Sequence, residues 1–290
     1  MAKVAFIGLG VMGYPMAGYL IKKGGFDTTV YNRTTAKAEK WAKEYGGSFA
    51  TTPAKAAEGC DFVYMCVGND DDLRSVTYGA DGVLATMKKG AVLVDHTTAS
   101  ADVAREIYAK AAEQGVAFVD APVSGGQAGA ENGVLTVMCG GDQAAFDAAK
   151  PGMDCYGRAV TLMGDVGAGQ LTKMVNQICI AGLVQGLSEG MNFARRAGLD
   201  TDRVIDVISK GAAQSWQMEN RARTMCADKF DFGFAVDWMR KDLGICLEEG
   251  KRNGSRLPVT ALVDQFYAQL QYRGDNRLDT SSLMKLLAED

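Results

Sequence analysis

Lys173, Asn176 and Gln177 stand at i, i+3 and i+4, with Gln170 one turn earlier, so a helix through this stretch carries them on one face. The surrounding residues are strongly apolar (Leu171, Met174, Val175, Ile178), and a polar stripe on such a helix points to a buried polar site. A lysine there can do proton chemistry, because desolvation lowers its pKa. It can then protonate a developing alkoxide or take the proton of a hydroxyl. Rivals for this work are few: the chain has one histidine, His96, within Val94-Asp-His-Thr-Thr-Ala-Ser100. A lysine is more often a solvated charge, and a lone histidine more often a packed structural residue, so spacing alone leaves both readings of Lys173 open.

Three further clusters suit anions. The apolar run Val4–Ile7 breaks into Gly8-Leu9-Gly10-Val11-Met12-Gly13, a G-x-G-x-x-G pattern between a strand and a helix. Gly8 would allow the tight turn, Gly10 the approach of a pyrophosphate to the backbone, and Gly13 close helix–strand packing. The N–H groups and positive dipole end of the following helix would face the phosphates. About 20 residues on, where an NAD site usually places a carboxylate for the ribose, the chain reads Asn32-Arg33-Thr34 with Lys37 beyond. A guanidinium can grip a 2′-phosphate in fork geometry, so NADP is expected ahead of NAD. Last, Ser124-Gly125-Gly126 follows the apolar run Val116–Val119; successive N–H groups in such a turn form a nest for a carboxylate, although a plain turn reads the same way. Thr97 or Thr98 is the better candidate for the nicotinamide ribose, and Asp237 with Lys241 reads as an ordinary helix-surface ion pair.

To hold these groups the first half must alternate strands and helices. Strands are expected near 4–7, 28–31, 62–66, 91–94, 116–119 and 134–139, with a further one near 159–162. Helices are expected near 13–23, 35–45, 53–58, 71–76 and 101–114. The alternation predicts a doubly wound parallel sheet. From Gly169 onward the pattern is helical, with a long helix over about 168–196 and others near 201–210, 217–226, 235–253 and 258–272. The predicted organisation is α/β, a cofactor domain over 1–164 followed by an all-α domain over 165–290. With 47% hydrophobic and 23% charged residues and a net charge of −4, the chain reads as a soluble globular protein without nucleic acid as a default partner. Seven scattered cysteines with no C-x-x-C pair suit reduced thiols in the cytoplasm, with no metal site. No apolar stretch reaches membrane-spanning length, and the apolar start, which lacks a small-residue cleavage site, reads as the first strand.

With these motifs in place the sequence strongly resembles the β-hydroxyacid dehydrogenase family, the relatives of 3-hydroxyisobutyrate dehydrogenase. Phe6-Ile-Gly-Leu-Gly-Val-Met-Gly-Tyr-Pro-Met16, Asp120-Ala-Pro-Val-Ser-Gly-Gly126, Gly167-Ala-Gly-Gln-Leu-Thr-Lys-Met-Val-Asn-Gln177 and Lys241-Asp242-Leu243 carry the likeness in family order over nearly the whole chain. The resemblance implies a Rossmann domain, an all-helical domain and a cleft between them. It implies Lys173 as catalytic acid/base, and Ser124, Gly125 and Gly126 on the substrate carboxylate. It further implies Asn176, with Gln177 beside it, in positioning substrate or lysine, and Lys241 on the cofactor side. Cofactor contacts are then expected from Gly8 to Gly13, Asn32, Arg33, Thr34, Thr98 and the loop at Val67 and Gly68.

The chain departs from the family at Cys66-Val-Gly-Asn69, where Gly68 replaces the usual proline, and at Thr97-Thr98, where Ser-Thr or Ser-Ser is commoner. Trp216 occupies a region that often shapes the substrate pocket. The resemblance leaves 3-hydroxyisobutyrate, tartronate semialdehyde, glyoxylate and succinic semialdehyde open. An imine reductase of the same architecture is disfavoured by Lys173, and a non-enzymatic Rossmann binding protein by Lys173 together with the Ser-Gly-Gly turn. Relatives commonly pair through the helical domain, and Ile178-Cys-Ile-Ala-Gly-Leu-Val184 is apolar nearly all round, so a homodimer or homotetramer is expected.

Overall fold

The computed structural model describes residues 2–287. Its strands are β1 (Lys3–Ile7), β2 (Asp27–Tyr31), β3 (Ser48–Phe49), β4 (Phe62–Met65), β5 (Val92–Asp95), β6 (Ala117–Asp120), β7 (Val123–Ser124), β8 (Leu135–Gly141) and β9 (Gly157–Gly164). Helices α1 (Gly13–Lys22), α2 (Thr35–Tyr45), α3 (Pro53–Ala57), α4 (Asp70–Tyr78), α5 (Ala101–Glu113), α6 (Gly126–Glu131) and α7 (Gln143–Met153) lie between them. Then come α8 (Ala168–Arg196), α9 (Thr201–Ile208), α10 (Trp216–Cys226), α11 (Val236–Asn253), α12 (Pro258–Tyr272) and a closing 3₁₀ turn (Thr280–Leu286).

Side-chain alternation explains why the central strands are apolar throughout. In β1, Val4 and Phe6 enter one core with Leu20, Trp41, Tyr64 and Val94, whereas Ala5 and Ile7 enter another with Val63, Leu93, Val103 and Phe118. A parallel sheet covered by helices on both faces needs apolar residues at both parities. The sheet order is β3-β2-β1-β4-β5-β6-β8-β7, with β9 beside β8. Ladders from β3 through to β6 are parallel, and the order reverses between β1 and β4, so the carboxyl ends of β1 and β4 form the switch point where such sheets bind ligands. The expected parallel sheet is therefore present as a Rossmann-like core. Beyond it the structure departs from expectation, because β8 runs antiparallel to β6 and to the added strand β7. The helices α6 and α7 and the two-residue β3 are also additional to those expected.

By internal packing the chain divides into a unit up to Lys173 and a second from Met174, the division falling inside α8. The second unit is helical. Ala181, Val184, Val236, Leu243, Val263 and Tyr267 build one of its cores, and Leu187, Met191, Ile205, Met218 and Met225 another. On the outer side of α8, Val175 is 61% exposed, Leu183 is 37% exposed, and Cys179 midway between them is also exposed. Among the described residues no helix is long and apolar enough to cross a membrane.

Candidate active site

At the switch point the glycines are dictated by sterics. Gly8 holds φ at 96°, and a Cβ there would sit 2.3 Å from the Cys66 carbonyl oxygen; a Cβ on Gly13 would sit 2.0 Å from the Gly8 oxygen. Gly10 differs, since a Cβ there would meet no protein atom within 4 Å. Its bareness serves no packing inside the chain and leaves the backbone open to something outside it, as a dinucleotide cradle requires. The start of α1 carries neither a capping side chain nor an acidic residue, which suits an anion. The N–H of Gly8 donates to the Tyr31 oxygen (2.8 Å) and that of Leu9 to Asn32 Oδ1 (3.0 Å), so phosphate donors would come from Gly10, Val11 and Met12.

Asn32 Nδ2 donates to the Thr34 carbonyl (3.1 Å), so the amide braces the glycine loop against the turn after β2. The Arg33 side chain is 90% exposed, with Nη1 3.8 Å from Asp72 Oδ1. The Val67 N–H donates to Thr97 Oγ1 (3.0 Å), which ties the loop after β4 to the one after β5. Thr97 is thereby buried in the scaffold, while Thr98 is partly exposed.

Ser124, Gly125 and Gly126 stand half-exposed at the β7–α6 turn, and φ values of 135° and 61° at the two glycines exclude most other residues there. Nearby in the same unit a buried polar network reaches the start of α8. Asp120 Oδ1 accepts from the Gly167 N–H (2.7 Å) and Oδ2 from the Gln170 N–H (2.9 Å). Gln170 Nε2 donates to the Thr97 carbonyl (2.7 Å), and its Oε1 accepts from the Ala99 N–H (3.0 Å). Lys173, one turn further on, is only 7% exposed. His96 takes no part in this network. Its Nδ1 faces the Ala121 carbonyl (2.7 Å), which can only accept, so Nδ1 carries the proton and Nε2 accepts from the Tyr156 hydroxyl (2.7 Å). Burial pushes the imidazole down to about 4, so it is neutral near pH 7.

In the second unit Asn176 Nδ2 donates to Gln177 Oε1 (2.8 Å), and Gln177 Nε2 donates to Asp242 Oδ2 (2.5 Å). Lys241 Nζ lies 3.1 Å from Asp242 Oδ1, while Asp237 accepts from Gln271 and Asn276. Asn176, Gln177 and Lys241 are thus drawn together around a buried carboxylate. Trp216 opens α10 at 43% exposure, with the Arg221 guanidinium 5.1 Å from its ring. Among the described residues no three His, Cys, Asp or Glu side chains are grouped to hold a metal. Sequence reasoning missed the parts played by Asp120 and Asp242. Both lie inside motifs it singled out, but the groups they bind are 50 and 65 residues away, so membership of the motif was the one signal available.

Residues 3–164 match the family model of the NAD binding domain of 6-phosphogluconate dehydrogenase, and residues 167–287 that of the NAD-binding domain of NADP-dependent 3-hydroxyisobutyrate dehydrogenase. A protein of Shewanella frigidimarina named uncharacterized oxidoreductase is 67% identical over 287 residues, 99% of this chain and 98% of its own. The Arabidopsis thaliana protein named probable 3-hydroxyisobutyrate dehydrogenase-like 1, mitochondrial, is 41% identical over 98% of this chain and 85% of its own. The crystal structure of 3-hydroxyisobutyrate dehydrogenase from Salmonella typhimurium superposes with a TM-score of 0.89 at 30% identity, covering 99% of this chain and 100% of that one. Fold, glycine loop and relatives together define an NAD(P)-dependent oxidoreductase that acts on hydroxyl groups. Within that class the chain belongs to the β-hydroxyacid dehydrogenase family, in its 3-hydroxyisobutyrate dehydrogenase-like branch.

Proposed function

We propose that the protein interconverts a short β-hydroxy acid of the 3-hydroxyisobutyrate type and its semialdehyde, with Lys173 as the acid/base. The observation that carries this reading is a lysine 7% exposed, one turn beyond a glutamine fastened to the loop after β5, in a chain whose one histidine is locked in the core as a neutral base. In oxidation the Lys173 amine takes the hydroxyl proton as the C–H bond to the carbinol carbon breaks; in reduction its ammonium returns that proton to the carbonyl oxygen. A bound nicotinamide supplies the acceptor or donor of the hydride. Ser124, Gly125 and Gly126 hold the substrate carboxylate, and Asn176 and Gln177 orient substrate or lysine. Residues 1–164 form the cofactor domain and 165–290 the domain for substrate and subunit pairing.

NADP is the preferred cofactor, held by Gly8, Leu9, Gly10, Val11, Met12, Gly13, Asn32, Arg33, Thr34, Val67, Gly68, Thr98 and Lys241. An exposed Arg33 with only a long contact to Asp72, and an amide where a carboxylate would repel phosphate, support this choice. Purified protein assayed with both cofactors against 3-hydroxyisobutyrate, tartronate semialdehyde, glyoxylate and succinic semialdehyde tests the reading. Lys173→Ala should lower kcat by roughly two to four orders of magnitude with cofactor affinity retained. Near-normal turnover in that variant removes the lysine from the mechanism.

A further inference from the structure

The first turn of α8 is fastened in an unusual way. A helix start leaves four N–H groups without intrahelical partners, and the residue just before it usually caps them with its own side chain. Here that residue is Gly167, which has none. The acceptor comes instead from Asp120, 47 residues earlier at the end of β6, whose two carboxylate oxygens take the N–H groups of Gly167 and Gln170. The space for this carboxylate is made by missing side chains. A Cβ on Gly140 would stand 2.6 Å from Oδ1, and one on Gly169 would stand 2.8 Å from Oδ2. Asp120 itself is fully buried.

We propose that Asp120 is a positioning residue for the reaction: its carboxylate, with Gln170 as second anchor, fixes the first turn of α8 and so sets where Lys173 exchanges its proton. The proposal rests on the reading of Lys173 as acid/base. Gln170 joins the same turn to the loop after β5 through the Thr97 carbonyl and the Ala99 N–H. Lys173 follows Gln170 by three residues, so a shift of the clamped turn is carried along the stiff helix to the lysine. A neutral cap would avoid the larger cost of burying a charge, and that cost is evident, since burial pushes the Asp120 carboxyl up to about 6 against the pull of its N–H donors. The anion adds a charge at the positive end of a 29-residue helix, close to where the helix carries a cation. The neighbouring titratable group on β8, Cys139, has its thiol pushed up to about 12 by burial and stays neutral.

Charge and anchorage can be separated experimentally. Asp120→Asn removes the charge and one acceptor; Gln170→Met keeps length and charge but cuts the tie to Thr97 and Ala99. Both should lower kcat about 10- to 100-fold, the scale of a displacement near 1 Å, while binding the nicotinamide cofactor within about twofold of wild type. In the oxidative direction the acid limb of the kcat profile, the limb that Lys173→Ala abolishes, should move to lower pH by roughly half a unit or more in Asp120→Asn, because an anion favouring the ammonium is gone. In Gln170→Met it should stay in place. Wild-type kcat and profile in Asp120→Asn, with Lys173→Ala inactive, overturn the proposal and leave the lysine reading standing. Turnover surviving in Lys173→Ala overturns both. A parallel loss of cofactor affinity marks a general loosening of the sheet and also overturns the proposal. If circular dichroism shows Asp120→Asn unfolded at the assay temperature, Gln170→Met decides alone, and wild-type kcat there ends it.

Discussion

An amide at position 32 accepts one hydrogen bond and donates another, whereas a carboxylate could only accept, and this difference governs the loop after β2. Asn32 spends its oxygen on the Leu9 N–H and its nitrogen on the Thr34 carbonyl, which leaves Arg33 as the group facing outward. An aspartate in its place would keep the first bond, set a negative charge against the Thr34 carbonyl, and offer that charge to ribose hydroxyls while repelling a phosphate. Replacing Asn32 by Asp and Arg33 by Ala together should therefore shift preference from NADP toward NAD. A charged contact to phosphate contributes about 1.5–3 kcal/mol, so the ratio of the two dissociation constants should move roughly 10- to 150-fold. Calorimetric titration of both proteins with both cofactors measures it, and wild-type protein that binds NAD more tightly refutes the reading with no variant. Arg33 was singled out in the sequence by its type and its offset from the glycine loop. Asp72 beside it was not, since it lies in the first turn of α4, 39 residues on in the chain.

At the scale of elements, two buried groups make β5 and β6 respond to pH in opposite senses. His96, just past β5, has its conjugate acid pushed down to about 4 from 6.5, so the folded state binds that proton less well than the unfolded chain. Its contribution is present above pH 6.5 and is lost as pH falls toward 4. Asp120, ending β6, is pushed up to about 6 from 3.8, so the folded state binds its proton better, and stability is gained as pH falls through that window. Between about pH 7 and 5 the two trends oppose each other. Asp120→Asn should therefore lose about 1 kcal/mol more stability than wild type over that interval, measured by urea unfolding at both pH values. An equal loss in the two proteins would show that Asp120 does not titrate there.

Periodicity made most of these elements readable: α2 and α12 were expected over the residues they occupy, and β1 and β5 to within one residue at each end. It could not supply strand direction, so the antiparallel β8 was unforeseen. The six-residue α6 starts at a glycine, and α7 contains Pro151, both local signals against a helix that tertiary packing overrides. The site divides along the same line. Lys173, Asn176 and Gln177 share a helical spacing and could be proposed together from it; the acceptors that bind Gln170 and Gln177, Asp120 and Asp242, act across 50 and 65 residues and leave no mark in local pattern.

For the molecule as a whole the open quantity is its copy number. A chain that leaves Val175 and Leu183 exposed on α8, with Val259 and Leu262 exposed at 57% and 55% on α12, presents apolar area that association would remove from water. We expect a homodimer or homotetramer, and light scattering at micromolar concentration should return a multiple of the mass of one chain. A single-chain mass would discard the expectation. Cys179 gives that helix face a voice of its own. Midway along the outer stripe of α8, its sulfur can be titrated with a maleimide, and the rate of adduct formation becomes a clock for how long the face stays uncovered. Labelling that slows on concentrating the protein would time the pairing of that face, and a rate indifferent to concentration would send the search for the contact to another part of the surface.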